Sequence, residues 1–427
     1  MNIKEESKRR AKNILKAIHE SSLAIRWKDT ETQLIRRDNS QVADYSDVGG
    51  QRWLKVYILE NILHGLVNLA LEERSDLETI ILEIASGNNQ GIRYPRTLNF
   101  TIKNDKMPKR YSDEVRGIHT ADKIQSTLDM TLKETEGTYV TKSYILGSMI
   151  FARHNFGSMS NDLVKTSGVY NTEHVEDSRA LVLLDDLLNK DLSGLLHDVY
   201  HIDRNLIYYY TSTNALMVMA LALSGHFKLA EQKLDYLKRT APHTPDGFYW
   251  EKFDLEQSEQ MGNGQAFGSF LIQIADVMCG NREEAFKFMG NVDAQTPSDF
   301  PINADLWSQG KKPESLGDYH LVDIKATSAY AILRNMLGDK KRAFEKMDTL
   351  HNFKGEYQTQ TPMKKLLSFN PRIFVKSSPY LYAALAYADL SREHSFFDTR
   401  ILNASTAFPE TSAPNTTYLN PKKIPLS

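Results

Sequence analysis

The sequence predicts an all-α fold built from about six repeated helical hairpins, and three observations carry that prediction. Three segments align with one another: "TSTNALMVMALALSGHFKLAEQKLDYL" (211–237), "GNGQAFGSFLIQIADVMCGNREEAFKFMGNV" (262–292) and "HLVDIKATSAYAILRNMLGDKKRAFEKMDTL" (320–350). In each, a mostly apolar stretch ends at a glycine, Gly225, Gly280 or Gly338, which suits the left-handed position that stops a helix. Five residues past each glycine stands an alanine, Ala230, Ala285 or Ala343, and four further on Leu234, Met289 or Met347. That spacing draws one narrow apolar stripe along a short, charged helix. The first helix of each pair therefore faces protein on all sides, and the second covers it.

Taken in chain order, the first element is a basic helix over 3–26, with Ile14, Leu15, Ile18 and Ile25 on one side and Lys8, Arg9, Arg10 and Lys12 on the other. It reads as an outer helix, with a loop completing 1–50. Segments 51–85 and 138–167 are weaker copies of the hairpin, and 174–189 and 378–393 each supply one member of a pair. A strand signal interrupts them in "TLNFTIKNDKMP" (97–108), where Leu98, Phe100 and Ile102 alternate with polar residues, so a small β-hairpin is expected within 90–112. His197 and His201 stand four apart in "HDVYHID" and read as sharing a helix face near Asp203. A helix-end hydrogen-bonding role is preferred there over metal binding. The run "IYYYTSTNAL" (207–216) reads as the start of an inner helix, with Tyr208, Tyr209 and Tyr210 fanned around it. The tail 394–427 is expected to be irregular. The whole of 1–427 reads as one domain.

Composition excludes several classes. The 427 residues carry a formal charge of −2, with no net basic excess, which argues against a nucleic-acid partner. The single Cys279 allows neither an internal disulfide nor a multi-thiolate metal site. No run of about 18 apolar residues occurs, so no membrane span is expected, and the expected setting is cytoplasmic. No cofactor or metal is expected. "GNGQAFG" is not the phosphate-binding spacing, and "DLEQSEQM" before it is no strand.

The glycines are 55 and 58 residues apart, enough for two helices and a long loop, and the long loops all precede the apolar helices. That run of hairpins resembles the (α/α)6 toroid of the six-hairpin glycosidases, over roughly 50–393. The resemblance implies a single toroid domain with a central cavity and a site in the loops before the inner helices. "GFYWEKFD" (247–254) resembles the tryptophan-acid segments that carry the general acid in several such glycosidases, with Glu251 the matching residue. Apolar surroundings favour the protonated carboxyl that leaving-group protonation requires. Equivalent loops offer Asp47, Asp305, Asp318 and Asp323 as the second carboxylate. Glucoamylase-like enzymes carry their base in the final loop, which here holds only Glu356.

Trp250, Tyr249, Tyr209, Trp307 and Tyr319 offer faces on which sugar rings stack, and His243 and His320 lie in two successive long loops. The expected activity is that of a carbohydrate-active enzyme, a glycoside hydrolase on an oligosaccharide or small-molecule substrate. A sugar epimerase or isomerase using His243 and His320, and a non-catalytic helical-repeat binding protein, remain open beside it.

Overall fold

Local backbone chemistry builds each hairpin the same way. The computed structural model describes residues 2–20, 25–28, 35–36, 63–72, 99–101, 145–146, 149, 195–201, 206–223, 225–255, 265–306, 322–353 and 378–399. Among these, Gly225, Gly280 and Gly338 adopt φ of +82°, +98° and +93°. In each case the glycine N–H and the next N–H bond back to the helix, as His226 N–H does to the Leu221 carbonyl at 2.9 Å and Asn281 N–H to the Asp276 carbonyl at 2.9 Å. This double bond-back satisfies carbonyls that a helix end otherwise leaves without partners.

The helices so ended are α2 (Thr211–Leu223), α4 (Ala266–Met278) and α6 (Ile324–Met336). Every residue of α2 and α4 is buried, as is all of α6 except Lys325. After each glycine comes a one-sided helix: α3 (Phe227–Thr240), α5 (Glu283–Gln295) and α7 (Lys340–Asn352). Of α3 only Ala230, Leu234 and Leu237 are buried. Burial of a leucine such as Leu234 is worth about 2 kcal/mol, so the narrow stripe suffices to hold each cover helix.

The fold is all-α, an inner row of apolar helices with one-sided helices covering it. The apolar helices pack in chain order, α2 on α4, α4 on α6, and α6 on α8 (Ser378–Ser391). Helix α1 (Ile3–Glu20) then lies against α8 and α7, so the N-terminal helix serves as the outer partner of the last inner one. It ends earlier than 26, because Ile25–Lys28 is a strand. Its Arg10, expected on the solvent side, is on the buried seam, where it pairs with Glu6 and Asp348 and lies over the rings of Phe344 and Tyr387.

Two small antiparallel sheets accompany the helices. In one, β1 (Ile25–Lys28) sits between β2 (Ile35–Arg36) and β3 (Asn99–Thr101), so the strand expected in 97–108 pairs with the N-terminal region. In the other, β5 (Leu206–Tyr210) sits between β4 (His197–His201) and β6 (Lys252–Phe253). The helix expected to carry His197 and His201 is thus a strand, with a register shift between His197 and Val199. Likewise Tyr208, Tyr209 and Tyr210 end a strand and do not open a helix; the aromatic run follows its β preference, and α2 starts at Thr211.

Candidate functional site

The N-terminal ends of the inner helices are tied together by main-chain bonds. β5 pairs Tyr209 with Phe253 and Tyr210 with Lys252. The ladder then continues into α2, where Thr211 N–H donates to the Glu251 carbonyl at 2.8 Å and the Thr211 hydroxyl to the Trp250 carbonyl at 2.5 Å. The same strip borders α4, since Gln265 N–H donates to the Tyr249 carbonyl at 2.8 Å. On its other side Gln265 bridges Asp305, and Ala266 N–H donates to the Ala304 carbonyl at 2.8 Å. Asp323 N–H, before α6, donates to the Ile302 carbonyl at 3.0 Å. Orphan N–H groups of helix starts are so used to fix the loops. It follows that α2, α4 and α6 begin at one common end and run parallel.

Side chains repeat the theme. Eleven residues before the hairpin glycines stand Asn214, Ser269 and Thr327. Each accepts a main-chain N–H from a neighbouring loop: Asn214 from Leu196 at 2.7 Å, Ser269 from Tyr249 at 2.8 Å, Thr327 from Ile302 at 3.0 Å. Each also donates to the carbonyl four residues back, of Tyr210, Gln265 and Asp323 respectively. Sequence reading missed these clamps, although their constant offset from the glycine was a usable signal.

Glu251 sits in this frame, half-buried between the starts of α2 and α4. Its Oε1 accepts the Ser212 hydroxyl. Its Oε2 is buried with no hydrogen-bond partner and lies over Gly268, where a Cβ would overlap it. Tyr382 of α8 stands within electrostatic reach of Glu251. Burial and then that negative charge push its phenol up. The Tyr382 ring meets Phe267 edge-on at 5.1 Å, and the Lys325 ammonium lies 4.8 Å from the Phe267 ring centre. Residues of α2, α4, α6 and α8 are thus linked to Glu251 directly or through one another.

Asp305, another of the sequence-derived acids, bridges Gln265 at the start of α4. Burial, and then the negative charge of Asp323, push its carboxyl up from the ordinary range. Asp323 itself caps α6, accepting Lys325 N–H at 2.8 Å. The strips carrying Glu251 and Asp305 flank Gln265 from opposite sides.

The remaining sequence-derived residues are placed as follows. Tyr209 is core, its ring stacked on Phe253 at 5.7 Å. Tyr249 is buried against the exposed His243, ring centres 4.8 Å apart. Its phenol is pushed up to about 12, by burial first; the charge of Lys238 then lowers it, and those of Asp276 and Glu284 raise it. His243 holds the Ala241 carbonyl through Nδ1 at 3.0 Å, in a turn where it accompanies Tyr249 and not Glu251. Trp250 is buried, its indole N–H without a partner. Asp47, Trp307, Asp318, Tyr319 and His320 lie outside the described residues, as do Trp53 and Glu356. Among the described residues no three His, Cys, Asp or Glu side chains gather as a metal site, and no helix is long and apolar enough to cross a membrane.

No protein-family model matches the chain, and no curated protein sequence matches it. Among solved structures it is similar in fold to a crystal structure described as an unsaturated glucuronyl hydrolase specific for heparin. The identity is 10%, the TM-score 0.46, and the match covers 91% of this chain and 96% of that one.

Proposed function

We propose that the protein is a carbohydrate-active enzyme, specifically a glycoside hydrolase, taking an oligosaccharide or small glycoside where α2, α4, α6 and α8 meet. The observation that carries this reading is the Glu251 carboxyl: one oxygen held by Ser212, the other buried without a donor. A buried acceptor left without a partner calls for one, and a sugar hydroxyl, glycosidic oxygen or attacking water supplies it.

Asp305 supplies the second carboxylate. An inverting mechanism requires the two to stand about 6.5–9.5 Å apart, which leaves room for a sugar and a water. Burial and the charge of Asp323 push the Asp305 carboxyl up, so we assign Asp305 the acid role and Glu251 the base role, the reverse of the assignment drawn from the tryptophan-acid motif. Asp305 gives its proton to the glycosidic oxygen as the bond to the anomeric carbon breaks. Glu251 takes the proton of the water that attacks that carbon from the opposite face.

Leaving-group chemistry tests the assignment. Glu251→Gln should lower turnover by about 10²-fold or more on every glycoside. Asp305→Asn should lower it comparably on alkyl glycosides but spare dinitrophenyl glycosides, whose leaving group departs without a proton. The opposite pattern would restore Glu251 as the acid. Wild-type turnover in Glu251→Gln would remove the carboxylate mechanism.

A further inference from the structure

We propose that Gly268 and Ser212 are positioning residues that form a seat for the Glu251 carboxyl, one through its missing side chain and the other through its hydroxyl. The consequence for turnover rests on the hydrolase reading above; the seat itself does not.

Gly268 is the third residue of α4, a place where glycine weakens a helix and alanine would strengthen it. Its backbone gives no reason for glycine, since the positive-φ glycines are Gly225, Gly247, Gly280 and Gly338. Space gives the reason. An added Cβ would meet Thr211 Cβ and Cγ2 at 3.4 Å, an ordinary contact, but would overlap Glu251 Oε2. The side chain removed from α4 is thus replaced by a carboxylate oxygen from the neighbouring loop.

Ser212 completes the seat from α2. It is 1% exposed and donates its hydroxyl to Oε1, so the carboxyl is gripped at one oxygen while the other rests against bare helix. The strip behind it is fixed by Thr211, whose N–H and hydroxyl hold the carbonyls of Glu251 and Trp250. Little rotamer freedom is left. A carboxylate held this way loses less entropy when it must meet a reacting atom, which is what positioning contributes to a rate.

The three relevant positions are offset in the repeat. Gly268, Thr213 and Ala326 stand twelve residues before their glycines, and Ser212, Phe267 and Lys325 thirteen. Only the second hairpin has glycine at the first of these positions, and only the first has serine at the other. The seat is therefore made where α2 meets α4 and nowhere else in the described repeat.

A double-mutant cycle read by thermal unfolding tests the seat without any substrate. In the wild-type background Gly268→Ala should lower the midpoint or leave it unchanged, because the new methyl displaces Glu251 from Ser212. In a Glu251→Ala background the same change should raise it by about 1 °C or more, through helix propensity alone. An equal shift in both backgrounds would overturn the seat. Ser212→Ala gives a second route: its cost should vanish once Glu251→Ala is present, and a cost that persists would also overturn the proposal.

Turnover of aryl glycosides separates this inference from the hydrolase reading. Gly268→Ala should cut kcat about 10-fold with KM nearly unchanged, and Gly268→Ala with Glu251→Asp, a shorter acid, should recover part of that loss relative to Glu251→Asp alone. A coupled pair in the melts with unaltered kcat keeps the seat and removes Glu251 from the chemistry.

Discussion

Two carboxylates at opposite ends of the inner helices, one fully buried and one half-buried, are treated in opposite ways. Asp389, near the C-terminal end of α8, is fully buried and saturated: Asn335 donates to one oxygen at 2.8 Å, and Ser395 Oγ and Phe396 N–H donate to the other at 2.8 and 2.5 Å. Glu251, at the N-terminal end, has one donor for two oxygens. Native interiors rarely leave a buried acceptor unmet, so the saturated group belongs to the framework, while the unsaturated one is open to the role proposed for it. Polar satisfaction, more than residue type, tells the two ends apart.

The largest expected effect breaks the saturated end. Asp389→Ala orphans three donors in a packed region and should cost about 4 kcal/mol in denaturant unfolding, whereas Glu251→Ala should cost under about 1 kcal/mol or stabilise. Equal losses at the two sites would dissolve the contrast.

Next comes a buried pair on the framework side. Lys238 of α3 pairs with Asp276 of α4 at 2.9 Å and also with Glu284. Burial pushes the Asp276 carboxyl up to about 6 despite that lysine. Lys238→Met, which leaves a buried carboxylate uncompensated, should cost about 3 kcal/mol at neutral pH. The sign with pH follows from linkage. A carboxyl whose folded pKa is raised above its unfolded value lends stability that is full below about pH 4 and lost as pH climbs through about 6. The fall between those values should be shallower in Asp276→Asn; an unchanged profile would place the pH dependence elsewhere.

The smallest effect concerns the clamps. Ser269→Ala frees the Tyr249 N–H and should lower stability by about 1 kcal/mol. Because that N–H lies two residues before Glu251, the same change should lower turnover more than its stability cost would suggest. A loss in stability alone would make Ser269 part of the framework only.

Much of the helical plan was legible because its signals are local. Gly225, Gly280 and Gly338 announce their left-handed conformation within a few residues, and the Ala230, Ala285 and Ala343 stripes need only a 3.6-residue period. What failed was non-local. His197 and His201 satisfy a helical spacing as well as they satisfy β4, and only pairing with β5, itself paired to β6, decides between them. Glu251 and Asp305 could be picked out as loop acids, yet Ser212 and Gly268 could not. Their meaning lies in a contact between α2, α4 and a loop about forty residues along from Ser212. A serine in an apolar helix and a glycine in a helix start carry no mark of such a contact.

The bonds from Thr211 to Glu251, Gln265 to Tyr249, Ala266 to Ala304 and Asp323 to Ile302 use main-chain atoms alone. A lattice of peptide groups is indifferent to the side chains it displays. Exchanging the residue at 251 or 305 would alter the side chains on show while leaving their mounting untouched, and lengthening the chain between these anchor points would not move them. Loops framed in this way can trade one set of side chains for another by single substitutions, without first passing through a less stable scaffold.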